Sequence, residues 1–86
     1  MDTIIIDVRE PYEFMSGHID GALNIPPVKL MDGEPAELAK LPRDTELVVY
    51  CLSGSRSNAS IPFLKRMGFT NVVNGINMDQ VRSHYL

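Results

Sequence analysis

The sequence is poor in the residues that most often carry redox, metal or membrane chemistry. It has one cysteine, Cys51, two histidines, His18 and His84, and no tryptophan. One cysteine closes no internal disulfide and makes no CxxC redox pair. The two histidines are far apart and show no ligand spacing, so the residues point to no metal, and attack by a lone thiol needs no organic cofactor. A single free thiol suits a reducing compartment, and the expectation is cytoplasmic. No apolar run approaches the roughly 20 residues of a membrane span, and no secretory h-region is present. Lys and Arg number 8 against 11 Asp and Glu, giving a net charge of -3 without any basic cluster. Nucleic acid and membrane surfaces are therefore not expected partners.

What is present is ordinary globular material. Hydrophobic residues make up 44% and charged residues 22% of 86 positions, enough apolar content to exclude intrinsic disorder. The length allows one core, so residues 1–86 are read as a single domain, burying only about 60% of its unfolded surface.

Four segments read as strands. Ile4-Ile5-Ile6-Asp7-Val8 is β-branched and unbroken, the pattern of a strand buried on both faces. Ala22-Leu23-Asn24-Ile25 is weaker and closes at Pro26-Pro27; Leu47-Val48-Val49-Tyr50 is the clearest; Asn71-Val72-Val73-Asn74 is the last, with Gly75 as a turn. Helices are expected after Pro11, over Glu34–Lys40, from about Ser57 to Met67 with Gly68 as its cap, and over Met78–Tyr85. Residues 28–33 read as irregular. Pro62 either kinks the third of these helices or lies in its first turn. Alternation of strands and helices argues for an α/β fold with a mostly parallel sheet.

The segment that carries chemistry is Cys51-Leu52-Ser53-Gly54-Ser55-Arg56-Ser57. A buried strand ends in a cysteine, and a small-residue loop then opens a helix. Ligands of open α/β sheets sit at the carboxyl ends of strands. Free N–H groups and the positive end of the helix dipole favour an anion there, and a thiol beside them should ionise near neutral pH. Arg56 adds positive charge. Gly54 lets the backbone curl, and Ser53, Ser55 and Ser57 offer hydroxyl donors. A thiolate in such a cup is a nucleophile without a general base, and a persulfide formed on it would be held by the same N–H groups. Plainer readings stand beside this one: Cys51 as a small buried hydrophobe, Arg56 as a solvated first-turn arginine, Ser57 as the helix N-cap.

Four blocks resemble the single-domain rhodaneses, the thiosulfate sulfurtransferases. They are Asp7-Val8-Arg9-Glu10-Pro11-Tyr12-Glu13-Phe14, Gly17-His18-Ile19-Asp20-Gly21-Ala22-Leu23-Asn24-Ile25-Pro26, Val48 through Ser57, and Met67-Gly68-Phe69-Thr70-Asn71-Val72. The resemblance spans residues 4 to about 75. It implies a rhodanese-like three-layer α/β/α fold on a mostly parallel five-stranded sheet. It implies transfer of a sulfane sulfur through a persulfide on Cys51, with Leu52, Ser53, Gly54, Ser55 and Arg56 as the active-site loop. A small sulfur-containing anion or a persulfide would be the donor, and a thiol or a protein the acceptor. Asp7 and Arg9 match an acidic–basic pair near the pocket, with Ser57 also supporting the site; a structural ion pair is the plainer role for Asp7 and Arg9. His18 matches a histidine that fixes its own loop. The family usually has a helix ahead of the first strand, so the fold is expected to be short at its N-terminus, with one sheet face thinly covered. A Gly-Gly pair and a tryptophan usually follow the last strand, where this chain has Asn74-Gly75-Ile76-Asn77. Positions 52 to 55 lack the basic residue of some thiosulfate-using members, which makes thiosulfate an expected poor donor. Two other functions remain. One is a non-catalytic or sulfur-carrying interaction module. The other is a phosphatase or arsenate reductase, whose relatives on this fold have a Cys-to-Arg loop one residue longer.

Overall fold

The β-branched run near the start forms β1 (Thr3–Asp7), and the computed structural model describes residues 3–86. A capping box follows. The Glu10 side chain accepts the N3 backbone N–H and the Glu13 side chain accepts the Glu10 N–H, which starts α1 (Pro11–Met15). The chain continues through β2 (Leu23–Asn24), α2 (Pro27–Met31), α3 (Ala36–Ala39), β3 (Glu46–Tyr50), α4 (Ser55–Arg66), β4 (Val72–Ile76) and α5 (Met78–Tyr85). All strand pairs are parallel, in the order β2-β1-β3-β4. The described residues therefore form four strands where the resemblance implied five; the residues themselves carry only four β-branched or apolar runs, and each becomes a strand.

The sheet is buried on both sides, as the unbroken runs require. Ile6, Val8, Leu47, Val49 and Cys51 point to one side, where Leu30 of α2, Leu38 of α3 and Leu64 of α4 pack on them. Ile5, Val48 and Tyr50 point to the other, covered by Ile19 and by Val81, Met78 and Tyr85 of α5. Among the described residues, the first side holds ten buried hydrophobic residues and the second five, so one face has the thinner apolar cover.

Several element boundaries differ from the sequence reading. Residues 28–33 read as irregular, but 27–31 form α2: Pro26 is its N-cap and Pro27 its first residue, where the missing N–H costs nothing. Residues 36–39, rather than 34–40, form α3 with Pro35 as its N-cap. The long helix begins at Ser55 with Gly54 as N-cap, so Ser57 is its third residue and not its cap. Pro62 lies inside that helix, beyond its first turn, on an exposed position. Gly68 does end it. The Phe69 N–H bonds the Leu64 carbonyl and the Gly68 N–H the Lys65 carbonyl, with Gly68 at φ 101° and Phe69 packed beside Leu64. Gly75, expected as a turn, lies within β4. Val49 pairs with Asn74 and Tyr50 with Ile76, which leaves Gly75 as a bulge residue.

Candidate active site

The end of β3 delivers Cys51 to the start of α4. The Cys51 N–H donates to the Ile76 carbonyl at 3.0 Å, which fixes the residue beside the end of β4. Gly54 takes φ 93°, a left-handed conformation that turns its own N–H back onto Cys51 Sγ at 3.1 Å. A Cβ at Gly54 would sit 3.3 Å from Ile76 Cγ2, so the turn is tight as well as left-handed. Ser57 Oγ lies 3.5 Å from the sulfur. Burial pushes the thiol up, but hydrogen bonds from the Ser57 hydroxyl and from the backbone N–H groups of Ser57, Ser53 and Gly54 outweigh it and bring Cys51 down to about 7. Cys51 is 1% exposed, while Leu52 is 58% exposed and Ser53 and Ser55 face solvent.

The three loop serines do different things. The Ser53 and Ser55 hydroxyls bond each other at 3.3 Å on the surface. Of the three hydroxyls, that of Ser57 is the one that reaches the sulfur. Its hydroxyl also lies 2.6 Å from Asn74 Oδ1 and 3.1 Å from the Gly54 carbonyl. Asn74 in turn donates from Nδ2 to the Gly54 carbonyl at 3.1 Å and accepts the Ile76 N–H on Oδ1 at 3.0 Å. That last bond supports Ile76 at φ 74°, a left-handed conformation that a β-branched residue adopts only under constraint.

Arg56 is not a solvated arginine. Its two terminal nitrogens donate to the Glu13 carboxylate at 2.7 and 3.1 Å, tying α4 to α1. The Arg56 hydrogen bond, then the Glu10 backbone, hold Glu13 at about 2. Arg56 itself is raised, first by Glu13 and to a lesser degree by Cys51.

Asp7 and Arg9 are close to each other but belong to the opposite side of the sheet from the thiol. Arg9 donates from Nε and a terminal nitrogen to Asp7 at 3.0 and 2.7 Å, and from the latter also to the Gly17 carbonyl at 2.7 Å. The Tyr50 hydroxyl donates to Asp7 Oδ2 at 2.7 Å and accepts the Ile19 N–H at 3.2 Å. All three side chains are buried, and burial first of all raises Tyr50 to about 12. The cluster tethers the loop through residues 17–19 to β1 and β3. His18 serves the same loop: it stacks on Phe14 and donates from Nδ1 to the Phe14 carbonyl at 2.8 Å.

Glu13, Asn74 and Ile76 were not singled out from the sequence. Glu13 lies 43 positions from its arginine. Its sequence signals are its place in the first quoted block and its place in the first turn of the helix after Pro11, and neither points to Arg56. Asn74 and Ile76 stand in the stretch that departs from the family's usual Gly-Gly pair, a signal that assigns them no role. Among the described residues, no group of three or more His, Cys, Asp and Glu is placed to hold a metal ion. No described helix is long and apolar enough to cross a membrane. The surface depression at α2 and its C-cap is lined by Val28, Lys29, Met31 and Asp32 and includes none of residues 51–57.

A family model described as the Rhodanese-like domain matches residues 1–76. The adenylyltransferase/sulfurtransferase MoeZ of Mycobacterium tuberculosis, described as probable, is 45% identical over 69 residues, covering 80% of this chain and 17% of MoeZ. A sulfurtransferase of Allochromatium vinosum is 34% identical over 73 residues, covering 85% of this chain and 64% of that protein. The chain thus spans less than two thirds of either relative. A solved rhodanese from E. coli superposes with a TM-score of 0.78 at 30% identity, covering 92% of this chain and 91% of that one.

Proposed function

The chain belongs to the rhodanese-like domain family, and on that premise we propose that it is a sulfurtransferase in which Cys51 carries the moving sulfur. The observation that supports this most directly is the Gly54 N–H aimed at Cys51 Sγ from 3.1 Å at the start of α4. With thiosulfate, the Cys51 thiolate attacks the outer sulfur. The new bond joins Cys51 Sγ to that sulfur, the S–S bond of thiosulfate breaks, and sulfite leaves with the electron pair. With a persulfide donor, the same attack releases the donor's thiolate. An acceptor such as cyanide or a thiol then takes the outer sulfur and restores the Cys51 thiolate. The bound persulfide is negative at its terminal sulfur, and each loop N–H that turns to it contributes about 1.5–3 kcal/mol. Leu52, Ser53, Gly54 and Ser55 shape this cup and Arg56 borders it, with Ser57 supporting it from within.

The charge of the site favours persulfide donors over thiosulfate. Positions 52 to 55 are uncharged and Arg56 is matched by Glu13, so little net positive charge greets a dianion. A thiol or a protein persulfide fits the same site as acceptor or donor, and a reducing compartment such as the cytoplasm keeps Cys51 free. The reading requires no cofactor, nucleic acid or membrane.

A second reading rests on the 1% exposure of Cys51, which suits an interaction module whose thiol is not worked on. Steady-state assays with thiosulfate, glutathione persulfide and mercaptopyruvate as donors and cyanide as acceptor separate the two. Sulfur transfer is expected to yield thiocyanate, most efficiently from the persulfide, and Cys51→Ser should abolish it. Turnover that survives Cys51→Ser contradicts the sulfurtransferase mechanism, and no turnover with any donor favours the module.

A further inference from the structure

The Ser57 hydroxyl has one proton and three acceptors around it. They are Asn74 Oδ1 at 2.6 Å, the Gly54 carbonyl at 3.1 Å and Cys51 Sγ at 3.5 Å. The Gly54 carbonyl does not depend on it, because the Asn58 N–H at 2.9 Å and Asn74 Nδ2 at 3.1 Å already donate there. The orientation of Asn74 is fixed from both ends. Its Nδ2 must face a carbonyl, and its oxygen must face the Ile76 N–H at 3.0 Å. An amide so held cannot flip, and it presents an acceptor to a hydroxyl that is wholly buried.

We propose that Asn74 is a positioning residue that competes with the Cys51 sulfur for the single Ser57 proton, so that the hydroxyl turns to the sulfur only while that sulfur is charged. In the thiol state Cys51 S–H donates to Ser57 Oγ, and Ser57 donates to Asn74. On ionisation the Ser57 O–H rotates onto the thiolate, and Asn74 Oδ1 keeps only the Ile76 N–H. Once a second sulfur is attached, the inner sulfur is neutral and the hydroxyl returns to Asn74. This last step rests on the proposed sulfur transfer; the first two do not. Asn74 therefore opposes the free thiolate and favours the states in which Sγ is neutral.

The charged groups around the thiol do not supply this behaviour. Arg56 of α4 acts on Cys51 and is paired with Glu13 of α1. Asp7 and Arg9 are engaged with Tyr50 on the other side of the sheet. The residues of β4 that bond Ser57, Gly54 and the Cys51 backbone, Asn74 and Ile76, carry no charge.

The test is the pH dependence of Cys51 alkylation by iodoacetamide, which needs no sulfur donor. Asn74→Ala should free the Ser57 proton and lower the alkylation midpoint by roughly 0.5–1 pH unit, the effect of one hydrogen bond. In a Ser57→Ala background the same substitution should not move it. A midpoint that stays or rises in Asn74→Ala, or an equal shift without the Ser57 hydroxyl, overturns the proposal. Should Asn74→Ala fail to fold, the parent protein decides. Its Asn74 side-chain amide resonances should titrate with the Cys51 midpoint and cease to do so in Ser57→Ala; resonances indifferent to that midpoint contradict the idea. Sulfur uptake followed by mass spectrometry on the same samples keeps the two readings apart. Lack of uptake with the expected alkylation shifts counts against sulfur transfer alone, whereas uptake with unmoved midpoints counts against Asn74 alone.

Discussion

Cys51 is held between opposing causes, and the pH behaviour follows from which one wins. Burial disfavours the thiolate, yet the Ser57 hydroxyl and three backbone N–H groups bring the thiol to about 7. Alkylation of the parent protein should accelerate through pH 7 and level off above it; a midpoint near the roughly 8.5 of a free thiol would contradict the geometry. The linkage has a definite sign. The folded value lies below the unfolded one, so the stabilisation is complete above the unfolded value and is lost as pH falls through about 7. Glu13 behaves likewise at lower pH. Its stabilisation is present above its ordinary 4.5 and lost as pH falls through about 2. Glu13→Gln should therefore flatten the acid end of the stability curve, measured by urea unfolding at a series of pH values. It should also leave Arg56 unopposed and speed sulfite release from thiosulfate, most at low salt, where screening is weakest. Equal rates for Glu13→Gln and the parent protein at low salt would show that the pair does not set donor preference.

At the scale of elements, β4 and α5 meet more closely than any side chain allows. A Cβ on Gly75 would lie 2.7 Å from Val81 Cγ2, 2.8 Å from Val48 Cγ1 and 3.3 Å from the Val49 carbonyl. Gly75→Ala should destabilise by about 1–3 kcal/mol, read as a lower urea midpoint, because it overpacks a closed contact. That close approach also explains why this residue read as a turn. Glycine signals a turn, a bulge and a close contact alike, and only the register between β3 and β4 tells them apart. The double proline at 26 and 27 misled in the same way, reading as a breaker when it caps and starts α2. Where one local signal dominates, the sequence was legible. The β-branched runs became strands, Gly68 ended α4, and α5 spans Met78–Tyr85 as expected, with Asn77 accepting the Gln80 N–H as a cap found only in the structure. The strand–Cys–loop–helix motif was legible too. Its partners were not, because Glu13, Asn74 and Ile76 reach the thiol's loop only through the crossing of distant elements.

For the molecule as a whole, the uneven cover of the sheet sets where stability is most exposed to change. The face under α5 has half the buried hydrophobic residues of the other and relies on the Asp7–Arg9–Tyr50 cluster for its polar closure. Asp7→Ala would leave the Arg9 guanidinium buried without its carboxylate, at a cost of about 3–5 kcal/mol. A chain of this length has only some 4–13 kcal/mol of total stability. The variant should thus be close to unfolding at 37 °C by circular dichroism, whereas an unchanged melting curve would show that Arg9 finds solvent. The cluster holds the frame, and the thiol on the opposite side is left to the loop. That thiol should itself take up the transferred sulfur, which intact-protein mass spectrometry followed by peptide mapping reads on the molecule. After brief exposure to a persulfide donor and capture by alkylation, a gain of about 32 Da, one sulfur atom, is expected on the peptide containing Cys51 and nowhere else. No gain on that peptide, or the same gain in Cys51→Ser, would contradict that uptake.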